Sequence, residues 1–301
     1  MAANDSICWA RLPRSGLGNK LLVWGRALVF ARINAIPFHV TGWNRLRIGP
    51  LLRSEVGRQY FGQFRQSCEV RPWKWWQAVT TYKRFREPTV TQSVAGDAKL
   101  YVFSNMPHWR DYFEYIRDYR EMVRLALFDA VAPSILHRAQ SLPAPVVSLH
   151  VRHGEFRNLK PEEDFAQVGL VRTPIKYFKD TINLIRSVAE KILPVTVFSD
   201  GAPNDLEELL ALPSVTLHRP QAAMVDLLLI SRSRIIVPSA GSTFGYWAAF
   251  LSEAAVLMHP QHIHAPIRPA NVNSNFFEGP TPAAIAECPT LLRDNIRSCS
   301  S

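Results

Sequence analysis

The second half of the chain alternates short apolar stretches with longer amphipathic ones. From residue 146 onward, runs of Val, Ile and Leu are followed by segments with apolar residues every three or four positions. The short runs are typical of buried strands and the longer segments of helices. The predicted strands are VVSLHV, VTVFSD, SVTLH and RIIVPS, and the predicted helices are TPIKYFKDTINLIRSVAEKIL, NDLEELLAL, AAMVDLLLISRS and TFGYWAAFLSEAA. This alternation predicts a parallel sheet covered by helices on both faces.

The first half begins with a similar pattern. ICWARL is a predicted strand and PRSGLGN a glycine loop, followed by the helical pattern NKLLVWGRALVFARINA and a second strand, PFHVTGW. Further on, RDYFEYIRDYREMVRLALF (110–128) has the spacing of an amphipathic helix. The chain is therefore predicted to form two α/β domains.

Prolines mark the expected domain boundary. Pro143 and Pro145 lie in AQSLPAPVV, where they disfavour helix. We therefore expect one domain over 1–142, a second over 143–270, and a C-terminal tail over 271–301 that packs back on the first domain.

Residues 71–88, RPWKWWQAVTTYKRFREP, mix aromatic and basic side chains. One interpretation is a surface for an anionic or sugar ligand or for a membrane face, because aromatic rings stack on sugars and sit at interfaces. The other interpretation is an amphipathic helix whose aromatic rings belong to the core and whose charges are solvated. The pattern alone favours the second.

Composition and charge limit the class of protein. Hydrophobic residues make up 47% and charged residues 20%, which excludes a disordered chain. The net charge of +10 favours an anionic partner, such as a nucleotide, nucleic acid, phospholipid surface or polyanionic glycan. The four cysteines have no metal-binding spacing and are interpreted as reduced thiols, with a disulfide as the alternative. No secretory signal or membrane span is expected.

Polar and ionisable residues collect where three predicted strands end, in LHVRHGE, VFSDG and IIVPSAGST. Ligands of open parallel sheets bind beyond the carboxyl ends of the strands, so these residues predict a ligand crevice. Arg152 is the first candidate, because its guanidinium matches phosphate oxygens and stays charged. A diphosphate is its natural partner. The alternative is a structural arginine paired with Glu155 or Asp200.

The remaining candidates each have a structural alternative. His150 shares the strand face of Arg152, and a lone histidine is more often a packing residue than a ligand. Ser242 and Thr243 lie at the start of an apolar helix. They either cap this helix, or the free backbone N–H groups of its first turn bind a phosphate group. Asp200 can accept hydrogen bonds from guanine or close a turn.

Four segments taken in order, SGLGNK, LHVRHGE, VFSDG and MVDLLLISRSRIIVPSAGSTFGYWAAFL, resemble the motif series of the fucosyltransferase superfamily. The pattern is most similar to the α-1,2-fucosyltransferase group (glycosyltransferase family 11-like), with kinship to the α-1,6 and protein O-fucosyltransferases. The resemblance covers most of the chain. It implies an α/β fold of GT-B type, in which two Rossmann-like domains face a cleft, the first on the acceptor side and the second binding GDP-fucose.

The resemblance also implies which residues bind the donor. Arg152 is expected to contact the diphosphate, and Asp226 to cap a helix. The other residues implied in the nucleotide site are His150 and Asp200 at strand ends, Ser242, Thr243 and Phe244 at the phosphate end, and Gly18 and Asn19 in the first domain.

The sequence departs from the family pattern at several positions. His153 replaces the second arginine of H-V-R-R-G-D, which removes a positive charge beside the leaving group, and Glu155 replaces the aspartate. Lys20 replaces the glutamine after Asn19. The S-N-S triplet is replaced by Ser239, Ala240 and Gly241.

The resemblance implies an inverting transfer, and the residues predict that it is metal-independent. No two aspartates form a D-x-D pair, so the metal clamp of many sugar transferases has no ligands in the sequence. Charge on the departing GDP would be met by Arg152 and a helix N-terminus, an effect of about 3 to 4 kcal/mol per donor. Arg152 is thus a catalytic candidate, with Glu155 and His153 as general-base candidates by position.

The expected activity is transfer of fucose from GDP-fucose to a hydroxyl of a glycan or lipid-linked oligosaccharide, with no cofactor beyond the donor substrate. The alternatives are a GT-B transferase with another nucleotide sugar and a non-catalytic basic module that binds nucleic acid or an acidic surface. The expected partners are the nucleotide sugar and a glycan acceptor, with a peripheral membrane contact and no nucleic acid. We expect a cytoplasmic protein, peripheral at the inner membrane face.

Overall fold

The computed structural model describes residues 5–43, 60–65, 69–270 and 275–299. The chain divides into two compact units, the first comprising 1–137 with 222–224 and the second 138–221 with 225–301. The division falls within the helix Pro133–Ser141 (α4), upstream of the two prolines at which the boundary is predicted.

The first unit contains a parallel sheet of four strands in its described residues. These are β1 (Ile7–Arg11), β2 (Phe38–Thr41), β3 (Lys83–Arg86) and β4 (Lys99–Phe103), in the order β2-β1-β4-β3. The predicted strands at β1 and β2 are confirmed. β3 and β4 were not predicted. All four residues of β3 are exposed at the sheet edge, so it lacks the apolar alternation of a half-buried strand.

Three described helices accompany this sheet. The helix α1 (Leu17–Ile33) follows the glycine loop as predicted and is buried along most of its length. The helix α2 (Pro72–Thr81) lies in the aromatic and basic segment. The helix α3 (Arg120–Ala130) begins ten residues later than predicted for 110–128, after a 3-10 turn at 117–119. Phe113 and Ile116 are fully buried in the intervening turn, so tertiary packing overrides the helical pattern there.

The second unit contains the predicted parallel sheet with its alternating helices, and also two further strands and a C-terminal helix that were not predicted. Its strands are β5 (Val147–Val151), β6 (Val195–Ser199), β7 (Val215–Leu217), β8 (Ile235–Pro238), β9 (Ala255–Met258) and β10 (Glu278–Pro280), in the order β10-β9-β8-β5-β6-β7. Its helices are α5 (Ile175–Ala189), α6 (Glu207–Leu210), α7 (Ala223–Ser231), α8 (Thr243–Leu251) and α9 (Thr290–Arg297). The strand β5 is central because it pairs with both β6 and β8.

Successive side chains of β5 point to opposite faces of the sheet, as they do in any β-strand. Val147, Leu149 and Val151 belong to one apolar core together with residues of α5 and α9. On the other face, Ser148 Oγ lies 2.6 Å from Ser233 Oγ and His150 stacks on Phe244. Val151 therefore points away from His150.

The C-terminal segment packs on the second unit, so the expectation that 271–301 packs on the first domain is wrong for the described residues. β10 pairs with β9, and Leu292 and Ile296 of α9 are fully buried in the core that includes β5. The fully enclosed guanidinium of Arg268 donates from Nε to Glu278 Oε2 at 2.7 Å. A short amphipathic helix carries no local signal for which sheet its apolar side will cover.

Candidate functional site

Three neighbouring strands of the second unit place the predicted residues at one edge of the sheet. Because β6, β5 and β8 are adjacent and parallel, their carboxyl ends lie at the same edge. The register places His150 beside Phe198 on one side and Pro238 on the other. Arg152, Asp200 and Ser239 follow these strand ends directly, and the structure brings them together.

Ser239 joins the ends of β5 and β8. Its backbone N–H donates to the carbonyl of His150 at 2.8 Å, and its hydroxyl accepts from the N–H of Arg152 at 2.8 Å. The residue is fully buried. Its side chain therefore fixes the backbone position of Arg152, a role that the sequence did not indicate beyond its place in the altered S-N-S triplet.

Asp200 organises the loop after β5. One carboxylate oxygen, Oδ1, accepts from the N–H groups of His153 at 2.9 Å and Gly154 at 3.1 Å, and Oδ2 forms an ion pair with Nη1 of Arg152. The structural alternative considered for Arg152, an ion pair with Asp200, is thus present in the structure. Recognition of guanine by Asp200 stays a prediction.

His150 is enclosed beside the first turn of α8. Its ring stacks on Phe244 with centroids 5.1 Å apart, and a Cβ on Gly245 would lie 3.0 Å from its Nδ1. Burial lowers the pKa of His150 to about 4; the nearby Asp200 opposes this shift and Arg152 adds to it. The imidazole is therefore neutral at pH 7, and its buried Nδ1 has no hydrogen-bond partner among the described residues.

The loop between β8 and α8 is held by side chains from both sides. The N–H of Ala240 donates to Thr173 Oγ1 at 2.9 Å, and the N–H of Gly241 donates to the Tyr246 hydroxyl at 2.9 Å. Gly241 has φ of +69°, which a glycine adopts without strain. Neither Thr173 nor Tyr246 was singled out from the sequence, because their partners are backbone groups that only the folded loop presents.

Ser242 is the residue that precedes α8, and its side chain makes no capping hydrogen bond. Ser242 is therefore in the predicted position, but the predicted hydroxyl cap is absent. The N–H groups in the first turn of a helix have no acceptors within the helix, and they carry its positive dipole end. Thr243 and Phe244 lie in that turn, as predicted.

The two general-base candidates differ in accessibility. His153 is only 3% exposed, with Nδ1 3.5 Å from Asp205 Oδ2. Burial lowers its pKa, Arg172 adds to the shift, and Asp205 opposes it. The Glu155 side chain is 71% exposed and lies 4.0 Å from the Arg152 guanidinium. Of the two, only Glu155 is open to an approaching hydroxyl group.

Three further predicted residues lie in the first turns of two helices. Gly18 and Asn19 are in the first turn of α1 in the first unit, and Gly16 precedes the helix. Their contribution to donor binding stays a prediction. In the second unit, Asp226 accepts from the N–H of Gln221 at 3.2 Å, just before α7, which agrees with the expected capping role.

Two features are absent from the part of the chain that the structure describes. Within it, no group of three or more His, Cys, Asp or Glu side chains is arranged to hold a metal ion. None of the helices described in the structure combines the length and apolarity needed to cross a bilayer.

The fold is similar to that of solved fucosyltransferases. The crystal structure of fucosyltransferase NodZ from Bradyrhizobium matches with a TM-score of 0.52 at 15% identity, covering 83% of this chain and 95% of that chain. NodZ α-1,6-fucosyltransferase soaked with GDP-fucose gives a TM-score of 0.49 at 14% identity, covering 82% and 93%. The apo form of POFUT1 gives 0.46 at 12% identity, covering 83% and 95%.

The first of these matches, together with two α/β units that each contain a parallel sheet, shows that the chain has the predicted fold of GT-B type. No protein-family model matches the sequence, and no curated protein is significantly similar to it.

Proposed function

We propose that this protein is a metal-independent inverting glycosyltransferase that moves fucose from GDP-fucose to a hydroxyl group of a glycan or lipid-linked oligosaccharide. The observation that carries the proposal is the position of Arg152. Its backbone N–H donates a hydrogen bond to Ser239, and its guanidinium forms an ion pair with Asp200. Ser239 is the first residue of the loop that leads into α8. A fixed cation beside a helix N-terminus suits a departing diphosphate.

Arg152 keeps donors for a phosphate while it is paired with Asp200. A guanidinium has five N–H donors, and the ion pair with Asp200 uses Nη1. We propose that Asp200 is a positioning residue, since its carboxylate sets both the loop and the direction of the arginine. Charge that develops on the diphosphate oxygens would be met by this arginine and by the first turn of α8.

His150 would support this arrangement as a neutral group. An imidazolium there would add a charge next to Arg152, but burial lowers its pKa to about 4. Its stack on Phe244 and its closeness to Gly245 hold the first turn of α8 against β5. His150 therefore orders the phosphate end and does not need to transfer a proton.

The proposed transfer is a single displacement. The acceptor oxygen forms a bond to the anomeric carbon while the bond from that carbon to the diphosphate oxygen breaks, and the electron pair leaves with GDP. The acceptor proton goes to a general base. Glu155 is proposed for this role because its carboxylate is exposed, whereas His153 is buried.

The finer assignments belong to the same proposal. The α-1,2 linkage rests on the motif forms in residues 149–155 and 239–247, and the donor contacts of Gly18 and Asn19 rest on the same resemblance. A cytoplasmic location is supported by the described cysteines, Cys8, Cys288 and Cys299, which are all unpaired thiols.

A donor screen tests the proposal. Thermal unfolding and donor hydrolysis would be measured with GDP-fucose, GDP-mannose and UDP-glucose, each with and without a chelator. We expect GDP-fucose to stabilise the protein most, by about 2.7 kcal/mol at one hundred times its Kd, with no effect of the chelator. Equal responses to UDP-glucose and GDP-fucose would contradict the fucosyl assignment, and loss of the response with chelator would contradict metal independence.

A further inference from the structure

The first unit carries an exposed aromatic surface that the proposed reaction does not use. The helix α2 has two apolar sides. One side packs on the sheet core that includes Ile7 and Leu100. It consists of side chains spaced along one helix face, namely Trp75, Ala78, Val79 and Tyr82. Trp73 and Trp76 are 62% and 69% exposed and lie three residues apart, so they share the outward side of the helix.

Basic side chains of the edge strand lie on the same face of the sheet as α2. The register pairs Arg84 with Leu100 and Arg86 with Val102, and both of these partners belong to the core under α2. Arg84 Nη2 also donates to the carbonyl of Val79 in α2 at 3.1 Å. Trp73, Trp76, Arg84 and Arg86 therefore lie on the same side of the first sheet, and this set of side chains is here called the Trp–Arg face.

The charge of this surface is not neutralised by the acidic residues that flank it in sequence. Residues 70–86 contain no Asp or Glu, and the nearest ones, Glu69 and Glu87, are engaged elsewhere. Glu69 pairs with Arg32 and accepts from the N–H of Phe38 at 2.9 Å. Glu87 pairs with Arg26 and accepts from the N–H of Ser104 at 2.6 Å.

One cation of α2 does have a carboxylate partner. Lys74 Nζ lies 2.7 Å from Asp5 Oδ1, but neither residue belongs to the Trp–Arg face. The first turn of α2 contains no acidic residue, although acidic residues are favoured at that end of a helix. Among the described residues the surface is therefore positive, with two large rings that project to solvent.

We propose that the Trp–Arg face docks the protein on the surface of an anionic phospholipid bilayer. Tryptophan rings are enriched at the level of lipid headgroups, and nearby cations are attracted to anionic lipids. The rings project from the outer side of a helix rather than into a concave site, which favours a broad lipid surface over a single sugar. This proposal does not depend on the transfer reaction, since no residue of the second unit takes part.

Vesicle sedimentation of the full chain tests the proposal. Vesicles of phosphatidylcholine alone would be compared with vesicles that also contain phosphatidylglycerol, at low and high salt. We expect binding to the phosphatidylglycerol vesicles that weakens as salt rises. Binding to neither vesicle type, or equal binding to both, would overturn the proposal.

Two double variants locate the contact. Replacement of Trp73 and Trp76 by Ala is expected to lower vesicle partitioning on the order of tenfold or more. Replacement of Arg84 and Arg86 by Gln is expected to lower it roughly fivefold per arginine and to reduce its salt dependence. The matched control, Leu125→Ala with Ile192→Ala, removes two residues that are 58% and 59% exposed and should leave partitioning unchanged.

Two further measurements make the result specific. Thermal unfolding of each variant should match that of the parent protein, because none of the four side chains of the Trp–Arg face belongs to the buried core. A single-stranded oligonucleotide and a sulfated glycan would serve as competitors of vesicle binding. Variants that bind vesicles as well as the parent protein does would overturn the proposal. Tight polyanion binding that does not require the tryptophans would assign the surface to another partner and would also overturn it.

Discussion

The strand-end loop of the second unit and the Trp–Arg face of the first unit use similar residues in different ways. Both combine arginines with aromatic rings. At the strand end, Asp200 and Ser239 hold Arg152, and Phe244 covers His150. On the Trp–Arg face, two exposed rings and two exposed arginines belong to a segment that has no carboxylate of its own, and Arg84 donates to a backbone carbonyl.

The difference shows which contacts hold an arginine side chain in one position, so that it can serve as a binding group. A surface arginine gains little from a single ion pair and samples many rotamers. An arginine whose backbone and guanidinium are both bonded is preorganised and can act on one developing charge. We therefore expect the strand end to be sensitive to small changes in shape, and the Trp–Arg face to respond mainly to the removal of charge or ring area.

The largest effect is expected from Arg152→Ala. Loss of the fixed guanidinium should lower kcat/KM for transfer or hydrolysis of GDP-fucose on the order of 10²- to 10³-fold, while the protein remains folded. Steady-state kinetics together with thermal unfolding would measure this. Arg157→Ala is the matched control, since Arg157 lies in the same loop but pairs with Glu163 on the surface. Retained activity in Arg152→Ala would remove this residue from the mechanism.

The tight packing at the strand end can be tested with Gly245→Ala. A Cβ there would lie 2.8 Å from Pro238 Cβ and 3.0 Å from His150 Nδ1, so α8 must shift. We expect a loss of about 1 to 3 kcal/mol in the free energy of unfolding, measured by denaturant titration. Gly169→Ala meets no atom within 4 Å and should be nearly neutral. Equal stabilities of the two variants would show that this end is not tightly packed.

Acid should destabilise the strand end through His150. Because burial lowers its pKa to about 4, the unfolded chain binds the proton more readily, and stability is lost as pH falls below about 6.5 toward 4. At pH 5 this amounts to about 2 kcal/mol. Between pH 7 and pH 5, the free energy of unfolding of the His150→Phe variant should therefore fall by about 2 kcal/mol less than that of the parent protein. His259, whose pKa is also lowered to about 4 by burial, maintains part of the acid sensitivity in both proteins.

The smallest effect is expected on the Trp–Arg face, where stability should hardly depend on the exposed rings. Trp73→Ala and Trp76→Ala should each change the free energy of unfolding by less than about 0.5 kcal/mol. Trp75→Ala should cost about 1 to 3 kcal/mol, because its ring stacks on His39 at 3.8 Å and packs edge-on against Trp9. If Trp76→Ala is as costly as Trp75→Ala, the outward side of α2 is part of the core and the comparison fails.

Much of the candidate site could be predicted from local pattern. The alternation of apolar runs with helical segments predicted the elements from β5 to α8, and the parallel order then placed Arg152, Asp200 and residues 239–243 at one edge. The first unit was predicted less well. β3 is too polar to show an alternating pattern, and residues 110–116 form turns that bury Phe113 and Ile116 where the spacing favoured a helix.

The sequence by itself determined the order of the four strands and four helices from β5 to α8 and the identity of the groups at the strand ends, because both follow from periodicity along a short segment. Only the tertiary structure decided that Arg152 pairs with Asp200, that His153 is buried while Glu155 is exposed, and that α9 covers the second sheet. It also decided that Trp75 packs while Trp76 is exposed. Each of these outcomes depends on groups far apart in the chain, and a local pattern shows that a surface is apolar or charged without showing what covers it.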